Sequence, residues 1–78
     1  MKLEIRDIVS LNDKNDYMVS GKTMLDNKVF YLLICEKEPS NVKFCYEGEK
    51  ENSLKESKDI ELNRKLLPLF VEAMKEAL

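Results

Sequence analysis

Hydrophobic and polar residues alternate over short stretches in the first two thirds of the chain, and this pattern predicts β-strands. The apolar positions change parity between Ile5 and Ile8. We therefore predict a first strand near residues 8–11, preceded by a bulge or turn at Arg6-Asp7. Residues 12–16 contain only Asn, Asp and Lys, and Asn and Asp favour turns because they tolerate a left-handed backbone.

A β-hairpin is predicted between residues 17 and 35. Four residues of its first strand, 17–25, share one parity: Tyr17, Val19, Thr23 and Leu25. Gly21, in the middle of that strand, indicates a bend or bulge. Two turn-forming residues, Asp26-Asn27, then join it to the next strand, which is a strong hairpin signal.

The second strand of the hairpin, residues 29–35, is apolar on both faces. This pattern is typical of a central strand that is covered on both sides. A polar loop containing Pro39 follows, and then a half-buried strand over residues 42–47, in which Val42, Phe44 and Tyr46 alternate with polar or small residues. Residues 47–58 are mostly charged and polar; they predict a short edge strand near 53–56, with disorder of part of the segment as the alternative.

The period then becomes helical. Leu62, Leu66 and Phe70 recur at four-residue spacing, as in an amphipathic helix, and Ser57 or Asp59 can cap its N-terminus. Pro68 removes one backbone hydrogen bond and clashes with the preceding turn. We therefore predict a short helix near 59–66, a kink or break, and a longer helix near 67–77.

These elements predict one small α+β domain over residues 1–78. The chain has about half the length of a typical domain, so it can build one modest core. We expect a curled antiparallel meander of four to five strands, partly SH3-like, with a C-terminal helix, kinked or broken at Pro68, packed on it. This helix would cover the second face of the strand at 29–35.

Charge adds little to this description. Thirteen basic and fifteen acidic residues give a net charge of −2. The nearest approach to a basic cluster is Arg64-Lys65, which is weak for a protein that neutralises several phosphates. The acidic run at Glu47, Glu49 and Glu51 is interrupted by Lys50.

The sequence indicates a cytoplasmic protein with reduced thiols. We expect no signal peptide, because the first residues lack an apolar segment, and no membrane span, because the longest apolar run has seven residues against the ~20 required. Cys35 and Cys45 are then expected to be free. Their spacing fits no metal site, and the chain contains no His to complete one.

We expect no catalytic, cofactor-binding or metal-binding residues. Glu36 and Glu38 lie in a loop rather than in a cleft that would separate their roles. Burial should keep the two cysteines protonated and unreactive. Five aromatic residues could form a base-stacking sheet face, but they are also needed for the core: Tyr17, Phe30, Tyr31, Phe44 and Tyr46.

The chain also shows a distinctive order of apolar segments: Ile8-Val9-Ser10-Leu11-Asn12-Asp13, Tyr17-Met18-Val19, Lys28-Val29-Phe30-Tyr31-Leu32-Leu33, Lys43-Phe44 and Lys65-Leu66-Leu67-Pro68-Leu69-Phe70. In this it resembles small uncharacterised proteins of low-GC Gram-positive bacteria and their mobile elements. The resemblance implies a compact cytoplasmic strand meander with a C-terminal helix. It carries over no active site.

For function, the sequence favours a non-enzymatic protein-interaction module that binds a protein partner or forms a homodimer. A small core cannot bury every apolar residue, and several are left over: Met1, Met18, Met24, Leu69, Val71 and Leu78. Apolar residues gathered on a surface usually mark a contact site. The alternative is a small acidic inhibitor or nucleic-acid mimic, and the third possibility is a nucleic-acid-binding domain. We expect no enzyme, and no nucleic-acid, small-molecule or membrane partner.

Overall fold

Five antiparallel strands form one curled sheet in which the spatial order of the strands follows their order along the chain. The structure is a computed structural model, and it describes residues 3–48 and 53–76. Its elements are β1 (Ile8–Ser10), β2 (Asp16–Leu25), β3 (Lys28–Cys35), β4 (Val42–Glu47), β5 (Leu54–Glu56) and α1 (Ile60–Glu76). The predicted α+β meander with a C-terminal helix is confirmed.

β2 and β3 form the predicted hairpin, closed by a two-residue turn. Asp26 and Asn27 have φ angles of 52° and 64°, the left-handed values that a type I′ turn requires at both positions. Asn and Asp adopt such angles more readily than most residues. The turn fixes the register, with Leu25 opposite Lys28.

A β-bulge in β2 moves the strand from one face of the sheet to the other. Val19 lies opposite Leu33, but Gly21 lies opposite Leu32, so Ser20 is the extra residue. Tyr17 and Val19 therefore contribute to one face, whereas Gly21, Thr23 and Leu25 lie on the other. The bulge predicted from Gly21 is present. It places residues of the same sequence parity on opposite faces of the sheet.

The two faces of the sheet carry separate apolar clusters. The inner face, enclosed by the curl of the sheet, holds Tyr17, Val19, Tyr31, Leu33, Cys35 and Cys45. The helix face holds Phe30 and Leu32, which pack with Leu66 and Phe70 of α1. β3 lies at the centre and is buried on both sides, as the sequence predicted.

α1 begins at a capped N-terminus and continues past Pro68. The carboxylate of Asp59 accepts hydrogen bonds from the backbone N–H groups of Glu61 and Leu62, at 3.1 and 3.2 Å, so Asp59 is the N-cap. The predicted break at Pro68 does not occur. Pro68 is exposed, and the fully buried Leu66 and Phe70 hold both halves of the helix on the same core.

The charged segment before α1 contains the predicted edge strand. β5 pairs with β4 from Glu47↔Leu54 to Cys45↔Glu56. The alternative of disorder within residues 47–58 bears partly on residues 49–52, which lie outside the described residues.

We predict that Phe70→Ala strongly destabilises the domain. Phe70 is fully buried and stacks on Phe44 at a ring distance of 5.8 Å. Removing such a ring costs about 3–5 kcal/mol, against roughly 4–12 kcal/mol of total stability for a chain of this length. Thermal denaturation followed by circular dichroism checks this, with the exposed Glu72→Ala as control. A cooperative melt near that of the wild type would contradict the placement of α1.

Gly21→Ala should destabilise the domain through the same ring. A Cβ at position 21 would lie 2.8 Å from Phe70 Cδ1 and 3.1 Å from Leu32 Cβ, so the helix would have to move, at a cost of about 1–3 kcal/mol. Phe70→Leu, which shortens the opposing side chain, should recover part of this loss in the double variant. Additive losses in a denaturant-based mutant cycle would show that the two positions do not press on each other.

Candidate functional site

An apolar row crosses the helix face of the sheet at the end that α1 leaves open. The pairing of the strands aligns four residues directly across β1 to β4: Ile8, Met18, Ile34 and Val42. Residues directly opposite each other share a face. None of the four belongs to the buried cluster beneath the helix, which ends at the neighbouring row of Gly21, Leu32 and Phe44.

α1 carries a second apolar set along one flank: Leu67, Val71 and Met74. Leu67 lies three residues before Phe70, and Val71 and Met74 lie one and four residues after it. The helical repeat therefore places Leu67 and Met74 on the same side of the helix as Phe70. Phe70 itself packs over Gly21 and Phe44, in the row next to the open one. Leu62 and Leu69, on the other side of Phe70, pack against the buried cluster, as do Leu25 and Tyr46. The helical spacing therefore places the flank on the side of α1 that faces the open row.

We call the sheet row and the helix flank together the apolar ledge. Apart from the half-buried Ile34, its side chains are 37–51% exposed. Beside Met74 lies a depression of about 340 Å³, lined also by Ile5, Arg6, Ser20, Gly21, Lys22 and Ala73. A contiguous apolar surface of this kind marks a contact site more often than scattered exposed residues do.

Charges of opposite sign border the two sides of the ledge. Asp16 follows the row on the sheet, where its carboxylate accepts a 2.6 Å hydrogen bond from the Ser10 hydroxyl. Arg64 and Lys75 lie on the outer side of the helix flank and are exposed. Asp16 thus borders the ledge beyond the sheet row, and two cations border it beyond the helix flank; Arg6 and Lys22 line the depression beside Met74.

The inner face carries a polar network at the opposite side of the sheet. The Tyr17 hydroxyl donates to Asp13 at 2.5 Å and accepts from Asn41 at 3.1 Å. The hydrogen bond between Tyr17 and Asp13 lowers the pKa of the Asp13 carboxyl and raises the pKa of the Tyr17 hydroxyl. Lys43 lies 5.8 Å from the centre of the Tyr17 ring and pairs with Glu56 at 3.3 Å.

Beside this network, a groove of about 530 Å³ separates β1 from β5. Its lining includes Val9, Leu54 and Cys45 as well as the Lys43–Glu56 pair. Burial raises the pKa of Cys45 to about 11, and the charge of Glu56 adds to this effect while Lys43 opposes it. Cys45 is therefore held as a thiol at neutral pH. The other cysteine of the chain, Cys35, is also free and buried.

The other residues singled out by the sequence are dispersed. Glu36 and Glu38 are exposed beyond the end of β3. Tyr17 and Tyr31 are buried on the inner face, whereas Phe30, Phe44 and Tyr46 lie under α1; the aromatic residues thus do not form one open sheet face. Glu49, Lys50 and Glu51 lie outside the described residues.

The leftover apolar residues have different positions. Met18 and Val71 belong to the apolar ledge, and Leu69 packs against the cluster under α1. Met24 is 64% exposed, opposite Val29 on the inner-face side of β2. Met1 and Leu78 lie outside the described residues.

Over residues 3–48 and 53–76, no three Cys, Asp or Glu side chains are grouped as metal ligands. No helix there has the length and hydropathy that a membrane crossing requires.

Comparison with protein-family models, with curated proteins and with solved structures finds no match to this chain. The resemblance to small Gram-positive proteins stays a prediction.

We predict that Cys45 makes the domain sensitive to alkali. Because the folded state raises the pKa of this thiol from 9.0 to about 11, the folded state holds the proton more tightly. The resulting stabilisation is complete below pH 9 and is lost as the pH rises towards 11. Thermal melts across this range should fall less steeply for Cys45→Ala than for the wild type. Parallel curves would contradict the assignment, since the tyrosines are common to both proteins.

Proposed function

We propose that this chain is a small, non-enzymatic, cytoplasmic protein-interaction module whose contact surface is the apolar ledge. One observation carries the proposal: Ile8, Met18 and Val42 on the sheet and Leu67, Val71 and Met74 on the helix are each more than a third exposed. Strand register and helical spacing place them on neighbouring parts of one surface. A domain of this size gains stability by burying such residues. Leaving them together at one surface is explained by a partner that covers them.

The chemistry of the ledge fits a protein rather than a nucleic acid. Its centre is apolar, with aliphatic and Met side chains, and Met adapts readily to an opposing surface. A nucleic acid requires a basic surface that follows the phosphates, but Asp16 borders this ledge on one side and the whole chain has a net charge of −2. Charged borders around an apolar centre are the ordinary composition of a protein contact.

The polar groups on the inner face support the same function. The hydroxyl of Tyr17 and the amine of Lys43 are both engaged by acidic residues of the chain itself. The Cys45 thiol beside them is held in its protonated form, and a thiolate is the form that attacks a substrate. These groups stabilise the sheet, so the proposal assigns no catalytic step to them.

The proposal predicts partner capture that depends on the ledge. The tagged protein, Met18→Glu and Met24→Glu would each be used to recover partners from the native cell. Met18 and Met24 are exposed residues of the same strand, but only Met18 belongs to the ledge. We expect the wild type and Met24→Glu to retain the same protein, either an untagged copy or another chain, and Met18→Glu to lose it.

A second measurement tests the nucleic-acid alternative. Fluorescence anisotropy with short DNA and RNA at low salt should detect no binding tighter than micromolar. Recovery of the same proteins by all three tagged forms, or tight binding of either nucleic acid, would overturn the proposed function.

A further inference from the structure

We propose that the occupant of the apolar ledge is a second copy of this chain, in a two-fold dimer where the helix flank of each copy covers the sheet row of the other. This inference rests on the proposed function and names the partner. Its three supports are the area of the ledge, the shape of the ledge and the charges at its borders.

The area is that of a small stable dimer. Side chains at 37–51% exposure together present on the order of 500 Å² of apolar surface, near the upper end of the patches that monomers expose. A specific interface buries about 800 Å² on each partner, of which roughly 65% is apolar in homodimers. The ledge supplies this apolar share, and its charged borders supply the remainder.

The shape of the ledge suits a two-fold contact. The row of Ile8, Met18, Ile34 and Val42 lies on the sheet, and the flank of Leu67, Val71 and Met74 lies on the helix that packs on the same sheet face. In a two-fold arrangement, a contact from flank to row is repeated as a contact from row to flank. Each copy then covers the ledge of the other.

The charges at the borders agree with this arrangement. Asp16 lies beyond the sheet row, whereas Arg64 and Lys75 lie beyond the helix flank. Placing the flank of one copy on the row of the other brings the basic border of one towards the acidic border of its partner. The low net charge of −2 also means that two copies repel each other only weakly.

The test is the solution mass of the full chain, together with a pair of complementary variants. Light scattering over a micromolar concentration series should show a mass about twice 9.1 kDa for the wild type and for the control Met24→Glu. Met18→Lys and Leu67→Glu, which place a charge on the row and on the flank, should each weaken the dimer about tenfold or more.

Mixing the two variants distinguishes the proposed packing from other dimers. In a mixed dimer, Lys at position 18 of one copy faces Glu at position 67 of the other, and the second row–flank contact is unchanged. The mixture should therefore recover the dimer mass that neither variant shows alone. Circular dichroism of each variant establishes that it is folded; a variant that is unfolded is replaced by Val42→Lys or Val71→Glu.

Three results would overturn the inference: a wild-type mass near 9.1 kDa throughout the series, a dimer insensitive to both ledge variants, or a mixture of folded variants that stays monomeric. If the wild type is monomeric while capture from the cell still depends on Met18, the second copy is the wrong occupant and the proposed function stands. If the wild type is monomeric and capture from the cell does not depend on Met18, the dimer and the proposed function are both wrong.

Discussion

The contact between Phe70 and the backbone at Gly21 is the constraint on which the rest of the structure depends. The ring lies so close to position 21 that a single added carbon would meet it at 2.8 Å. This closeness lets a long helix settle directly on the sheet and cover Phe30 and Leu32. It also fixes where the helix stops covering the sheet, because Phe70 lies over the last covered row and the row of Ile34 begins beside it.

The bulge at Ser20 makes this contact possible. Before the bulge, β2 supplies Tyr17 and Val19 to the inner face; after it, the same strand turns Gly21 towards the helix. One strand thus serves two apolar clusters in succession. Without the bulge, unbroken pairing would place Ser20 opposite Leu32 in place of Gly21, so a side chain would stand where the ring of Phe70 now packs.

Much of this architecture is encoded locally and could be predicted. Asp26-Asn27 specifies its own turn, the two apolar faces of β3 require a central position, and Asp59 caps the helix that covers one of those faces. The local cost of Pro68 predicts a break in the helix, but the burial of Leu66 and Phe70 on either side outweighs the lost hydrogen bond. The apolar ledge could not be read from the chain, because Ile8, Met18, Ile34 and Val42 become neighbours only through the register of four strands. The leftover Met18 and Val71 were the one signal of it, and Met24, of equal hydrophobicity, lies elsewhere.

The meander order of the strands also has a consequence for synthesis. Each strand pairs only with its neighbours in the sequence, so the sheet can assemble progressively as the chain leaves the ribosome, and such local pairing favours rapid folding. The helix that covers β3 is made last. A nascent chain therefore exposes Phe30 and Leu32 until residues 60–76 emerge, and in that interval the uncovered face of the sheet is prone to aggregation.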